Sequence, residues 1–143
     1  MESSKKYNLE ERLIDFSILI LDVIEQLPND KIGNHLGGQL LRSRTSPALN
    51  YGEAQSAESR NDFIHKMKIC LKELRETGIC LKIIIRKPVM KNLVLAEKAF
   101  AESNELAAIF NKSIDTASKK QRKKVMQKLH HLLFKIRYSI FII

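Results

Sequence analysis

The residue types that most often carry catalysis or bind metals are few in this sequence and poorly spaced for either task. His35 and His65 each stand alone, and His130 and His131 are adjacent, so on a helix they point about 100° apart. The sequence contains no glycine-rich phosphate loop and no HExxH, CxxC or G-x-S-x-G motif. We therefore predict that the chain is not an enzyme and has no catalytic residue, no metal site and no cofactor.

The two cysteines and the N-terminal segment indicate a cytoplasmic protein. Cys70 and Cys80 are ten residues apart in one predicted helix, about 15 Å along its axis, which is too far for a disulfide. Two free thiols fit a reducing compartment. The first residues, MESSKKYNLEERL, are polar and lack the apolar core of a secretion signal. No apolar run is long enough to span a bilayer.

Apolar residues recur at spacings of three and four along most of the chain, which predicts long amphipathic helices. Only five glycines and three prolines interrupt them. The predicted helices cover about residues 9–27, 39–57, 59–87 and 92–114, with a loop containing Gly33, Gly37 and Gly38 before the second helix and a kink at Pro47 within it. Short connections favour antiparallel neighbours. The predicted fold is therefore all-α, an antiparallel up-down four-helix bundle over residues 1–118.

The formal net charge of +9 lies almost entirely in the C-terminal segment. Residues 119–143 hold eight basic and no acidic side chains, whereas residues 1–118 hold 17 basic and 16 acidic ones. The segment also has helical apolar spacing, so we predict a basic amphipathic extension of the bundle. Such a segment can dock on its own bundle, pair between subunits or lie on a membrane surface. We favour docking or pairing over membrane contact.

A basic ridge is the best candidate for binding in the predicted third helix. Five side chains fall within about 80° of arc at 100° per residue, and they can follow a phosphate backbone or an acidic protein surface; the alternative is a solvated face that only maintains solubility. The candidate nucleic-acid-binding residues are these five and five from the basic extension: Lys68, Lys72, Arg75, Lys82, Arg86, Lys119, Lys120, Arg122, Lys123 and Lys124.

A polar stripe in the predicted second helix differs in character from the basic ridge. Polar and charged side chains of mixed types on one narrow face suggest a hydrogen-bonded network, which needs partners on a neighbouring helix or subunit. We interpret the polar stripe as structural. We expect Arg42 to pair with the acidic side of the third helix, formed by Asp62, Glu73 and Glu76. The residues of the polar stripe are Gln39, Arg42, Ser43, Ser46, Asn50 and Glu53.

Several short motifs between residues 39 and 110 carry a family resemblance. They are Gln39-Leu40-Leu41-Arg42-Ser43, Thr45-Ser46, Asn50-Tyr51, Glu53-Ala54, Ser59-Arg60, Asp62-Phe63, Lys72-Glu73, Glu76-Thr77, Asn104-Glu105-Leu106 and Ile109-Phe110. With them, roughly residues 7–118 resemble the four-helix-bundle family of 23S ribosomal RNA intervening-sequence proteins, also called S23 ribosomal proteins. Accessory variability determinant proteins of diversity-generating retroelements belong to the same family. Pro47 and Leu49 depart from its pattern, and residues 119–143 extend beyond it.

The resemblance implies a four-helix bundle that assembles as a homopentamer with a basic central channel and has no enzymatic activity. It also implies, for the retroelement branch, binding to a reverse transcriptase and to nucleic acid. Two functions follow as expectations. The chain is an oligomeric accessory or scaffold protein that binds RNA or DNA, or it is a protein-interaction adaptor with no physiological nucleic-acid ligand.

Overall fold

The computed structural model describes residues 8–141, which form five α-helices and no strand. The prediction of an all-α chain is therefore confirmed over this span. The helices are α1 (Leu9–Glu25), α2 (Lys31–Ser43), α3 (Ser46–Gln55), α4 (Arg60–Arg86) and α5 (Val94–Phe141).

Polar side chains cap three helix starts and fix where the helices begin. Asn8 Oδ1 accepts the backbone N–H of Glu10 at 3.1 Å, Asp30 Oδ1 accepts that of Gly33 at 2.7 Å, and Ser59 Oγ accepts that of Asp62 at 3.1 Å. These bonds satisfy N–H groups that have no partner within the helix. The cap at Ser59 lies at the predicted start of the third helix, residue 59.

The predicted glycine loop between the first two helices is wrong, because all three glycines lie within α2. The real connection, residues 26–30, is short, and it brings two backbones together at Gly33. A Cβ atom on Gly33 would lie 1.9 Å from the carbonyl oxygen of Pro28. Gly37 faces the end of α1, where a Cβ would contact Leu27 at 3.5 Å. The glycines thus permit close packing of α1 and α2 instead of breaking the helix.

Pro47 divides the predicted second helix into two. It has no N–H to donate to the carbonyl of Ser43, and its ring would crowd that carbonyl, so α2 ends at Ser43 and α3 starts at Ser46. Side chains of α1 and α4 donate to carbonyls beside the break. The Arg44 carbonyl accepts from Ser17 Oγ at 2.8 Å, and that of Pro47 accepts from Cys70 Sγ at 3.4 Å. The predicted kink is therefore a complete interruption.

Contacts along α4 show that both of its neighbours run antiparallel to it. On one side, α5 places Ser103 beside Gly78 and hydrogen-bonds Gln121 to Asn61. On the other side, α2 and α3 bring Ser43 to Thr77 and Glu53 to Lys66. In each pair, residue numbers rise along one helix as they fall along the other. The fourth side of the bundle is α1, which packs against α2, α3 and α5, as expected of an up-down arrangement.

The core between these helices contains the apolar stripes that the sequence predicts. Phe16, Leu74 and Phe110 are almost completely buried, and the rings of Tyr51 and Phe110 meet edge to face with centroids 5.8 Å apart. Burial of such large side chains is the main favourable term in folding.

Helix α5 continues far beyond the core. It spans 48 residues, about 72 Å, and crosses the predicted boundary at residue 118 without a break. Ala117 is its last buried residue, Ser118 and Gln121 are half-buried, and every residue from 122 to 141 is exposed. We call residues 122–141 the arm. In this structure the arm does not dock on its own bundle.

We predict opposite effects for two alanine substitutions in α2. Gly33→Ala should destabilise the protein by about 2 kcal/mol or more, because its Cβ would overlap backbone atoms of Pro28 that cannot move independently of the turn. Gly38→Ala is the matched control. Nothing lies within 4 Å of its added Cβ, so better helix propensity should stabilise the fold by about 0.5–1 kcal/mol. Urea denaturation of both variants would measure this difference, and equal effects would contradict the close approach.

Candidate nucleic-acid interface

The five basic residues predicted on one face of α4 are all exposed. They extend from Lys68 to Arg86, about 27 Å along the helix axis. Of these five residues, only Lys72 forms an ion pair with another described residue, Glu76, at 3.7 Å. Exposed pairs of this kind contribute little to stability. The basic ridge (Lys68, Lys72, Arg75, Lys82 and Arg86) therefore presents its charges to solvent.

The ridge borders a shallow groove between α4 and α5. Arg75 and Lys82 line this groove, which has a volume of about 270 Å³, together with Asn104 of α5. The floor is close-packed, because a Cβ on Gly78 would lie 3.0 Å from Ser103 Oγ. This geometry suits a backbone lying along the surface better than a small molecule enclosed in a pocket.

The basic residues of the predicted extension surround α5 where it leaves the bundle. We call Lys119, Lys120, Arg122, Lys123 and Lys124 the basic collar; all five are exposed and spread over about 200° of the helix circumference. Lys119 pairs with Asp115 at 2.8 Å. Gln121 contacts Asn61 at the start of α4, so the collar lies near the Lys68 end of the ridge. The collar and ridge are thus near each other at one end of the bundle.

The other side of α4 forms a cleft with α2 that contains charges of both signs. Gln39 and Arg42 line this cleft of about 490 Å³ together with Glu73 and Glu76. The expected ion pair between Arg42 and these carboxylates is not formed within the described residues. Burial, followed by the neighbouring charge of Glu76, raises the pKa of Glu73. Arg42 thus lines the same cleft as Glu73 and Glu76 without an ion pair to either, and the third predicted partner, Asp62, does not line this cleft.

The remaining residues of the polar stripe connect α2 and α3 to α4 or form local hydrogen bonds. Thr77 Oγ1 donates to Ser43 Oγ at 3.0 Å in a buried contact, while Asn50 Nδ2 donates to Ser46 Oγ at 3.0 Å within α3. Glu53 pairs with Lys66 of α4, and this hydrogen bond and charge raise the pKa of Lys66. These contacts give Ser43 and Glu53 structural roles.

Sequence reasoning missed the strongest polar contact between α1 and α5. Arg12 donates through Nε and Nη2 to both carboxylate oxygens of Glu102, at 2.5 and 2.9 Å, and through Nη2 to Glu105. Bidentate bonds between charged groups are among the stronger hydrogen bonds in proteins. The available signal was the three-residue spacing of Glu102 and Glu105, which places both carboxylates on one side of a helix.

Neither cysteine thiol is poised for chemistry. Burial raises the pKa of Cys70 to about 12 and also raises that of Cys80. Within residues 8–141, no group of three or more His, Cys, Asp and Glu side chains could hold a metal ion. The candidate interface is therefore a charged surface.

We predict that both thiols are alkylated slowly in the folded protein. A raised pKa means that the reactive thiolate is scarce at pH 8 for both cysteines, and that of Cys70 increases only as the pH approaches about 12. Mass spectrometry after iodoacetamide treatment should find little modification of Cys70 and Cys80 at pH 8, and rapid double modification in denaturant. Rapid modification of the native chain at Cys70 would contradict its burial.

We also predict energetic coupling between the hydroxyls of Ser43 and Thr77. Thr77→Val removes a buried donor at nearly constant volume, and we expect a cost of about 1–2 kcal/mol. Ser43→Ala should then cost less in the Thr77→Val background than in the wild type, because its bonding partner is already gone. A double-mutant cycle by urea denaturation measures this coupling. Strict additivity would mean that the two hydroxyls do not interact.

Comparison with known proteins covers the bundle and leaves out the arm. The family model for 23S rRNA-intervening sequence protein matches residues 5–112. A crystal structure of a protein of unknown function from the S23 ribosomal protein family of Bacteroides thetaiotaomicron superposes with a TM-score of 0.68 and 31% identity; the match covers 75% of this chain and 98% of that chain. Neither description names a reaction. No curated protein matches this chain.

Proposed function

Because the chain belongs to the 23S rRNA-intervening sequence protein family, we propose that it is a non-enzymatic accessory or scaffold protein that binds RNA or DNA through its basic helix surfaces. In this proposal the bundle acts as a homo-oligomer. A protein partner such as a reverse transcriptase shares the nucleic acid with it.

The basic ridge of α4 is the observation that supports this proposal. A polyanion is bound when cations displace its condensed counterions, so useful cations must be exposed and unpaired. Lys68, Arg75, Lys82 and Arg86 meet both conditions among the described residues. Their 27 Å spread, estimated from the helix rise, allows contact with several successive phosphates.

The shape of the interface favours binding without sequence specificity. Specific readout requires side chains that enter a groove and contact base edges. The ridge instead consists of long, flexible cations along one side of a packed helix. Repetition of this surface in an oligomer would multiply a modest affinity per subunit.

We predict that two ridge substitutions weaken nucleic-acid binding and reduce its salt dependence. Arg75→Gln/Lys82→Gln removes two exposed cations beside the α4–α5 groove. Each lost phosphate contact should lower the slope of log affinity against log salt by about 1. Fluorescence anisotropy with labelled single-stranded RNA and duplex DNA, across a salt series, measures both affinity and slope.

The matched control is Lys98→Gln/Lys112→Gln, which makes the same change in net charge at exposed positions of α5 outside the ridge and the basic collar. It should retain most of the wild-type affinity. Equal losses in the two variants would indicate attraction by net charge alone and contradict a ridge site. If the wild-type chain binds neither probe at low salt, the nucleic-acid proposal is wrong and an adaptor for an acidic protein takes its place.

A further inference from the structure

The arm exposes an apolar face that no part of its own bundle covers. Large side chains on this face retain about half or more of their surface, for example Leu133 at 56%, Ile136 at 48% and Ile140 at 68%. We infer that this face binds the same face of the arm in other copies of the chain, forming a parallel coiled coil of more than two helices. The inference is independent of nucleic-acid binding.

The spacing of the apolar residues has the period of a coiled coil. Met126, Leu129, Leu133, Ile136 and Ile140 follow one another at intervals of three, four, three and four residues, as the a and d positions of a heptad repeat do. All five are exposed on one continuous helix. We call these five residues the seam.

The charged residues of the arm are placed where pairing of parallel seams tolerates them. Lys128 and Lys135 fall at c positions, which point away from a partner helix. Arg137 falls at an e position, which in a parallel pair lies beside Leu132 at the g position of the neighbour. Within 125–141, therefore, no two basic side chains meet across the seam. This placement matters because the arm has no acidic residue to offset its positive charge.

The residue types of the seam favour more than two helices. Leu133 at a and Ile136 at d is a combination that shifts parallel coiled coils towards trimers or tetramers. Val125 and Leu132, at g positions, widen the apolar face and are 57% and 54% exposed. Two arms alone would bury on the order of 1,000 Å², the lower limit for a specific interface. Additional copies cover the wider face and enlarge the buried area.

The aromatic residues on the opposite side of the arm argue against a membrane surface as the occupant. A helix lying in a bilayer interface has one apolar face and one polar face. Phe134 and Tyr138 stack on each other with centroids 6.2 Å apart, and they lie about 120° and 160° around the helix from the centre of the seam. A flat membrane could not cover both faces. None of the described helices is long and apolar enough to cross a membrane.

Site-specific cross-linking tests the inference directly. In a parallel coiled coil, equivalent seam residues of different chains lie side by side, so Ile140→Cys should form an intermolecular disulfide under mild oxidation. Tyr138→Cys is the matched control, since Tyr138 is 63% exposed and lies near the same end of the arm but outside the seam. We expect at least about fivefold more cross-linked chain for Ile140→Cys. The native thiols should contribute little background, because Cys70 is buried and Cys80 is half-buried.

Two further conditions separate seam pairing from other causes. Adding Leu133→Gln/Ile136→Gln should abolish the cross-link of Ile140→Cys, whereas adding Phe134→Gln should not. Raising salt from about 0.05 to 0.5 M should increase cross-linking, because it screens repulsion between adjacent basic collars, while the same change weakens nucleic-acid binding. Chemical cross-linking of Ile140→Cys after oxidation should also trap species larger than dimers.

Three results would overturn the inference. Equal cross-linking of Ile140→Cys and Tyr138→Cys would indicate random collision, and no cross-linking of either would exclude a parallel seam. Absence of the cross-link combined with co-flotation of the wild-type chain on anionic phospholipid vesicles would assign the face to a membrane surface. The ridge variant Arg75→Gln/Lys82→Gln should leave cross-linking unchanged, so failure of one proposal does not imply failure of the other.

Discussion

The close packing of the middle of α4 against both neighbours is the constraint on which the rest of the structure depends. At two consecutive residues, Thr77 contacts Ser43 at the end of α2, and Gly78 faces Ser103 of α5. Adjacent helical residues point about 100° apart, so this single step fixes the directions from which both neighbours approach. Only one broad side of α4 remains for solvent, and the basic ridge occupies part of it. The direction of the charged surface therefore depends on a small residue, Gly78, and on the buried hydroxyl of Thr77.

The two basic surfaces of the chain differ in what surrounds them. The ridge is a single face of a helix whose other sides are packed, so its cations have a common direction. The basic collar surrounds α5 where that helix has no neighbours, so its cations point to many sides. A directional row suits an extended polyanion, whereas a ring of charge mainly raises the local potential. For the proposed binding of nucleic acid, this difference matters more than the net charge of +9.

The sequence predicted the helical class, the apolar stripes and the start of the helix at residue 59 because these features depend on local spacing. It failed where tertiary contacts decide. Gly33 resembles a loop residue, yet its lack of a side chain serves close packing against Pro28 within a helix. Pro47 could kink or end a helix, and the complete break lies where side chains of α1 and α4 donate to the carbonyls of Arg44 and Pro47. For the candidate site, spacing identified the ridge, but the separation of Arg42 from Glu73 depends on helix placement that no pattern encodes.

The uninterrupted course of α5 gives the arm a fixed rotational phase relative to the bundle. Each residue of an α-helix turns the chain by 100° and advances it by 1.5 Å. Inserting one residue between Ser118 and Arg122 would therefore move the arm outward only slightly, yet turn its apolar face by about a quarter of a circle. Inserting seven residues would nearly restore the original direction at about 10 Å greater distance. The helix thus fixes the direction of the arm's apolar face relative to the bundle, and changes in helix length should be tolerated in whole-heptad steps.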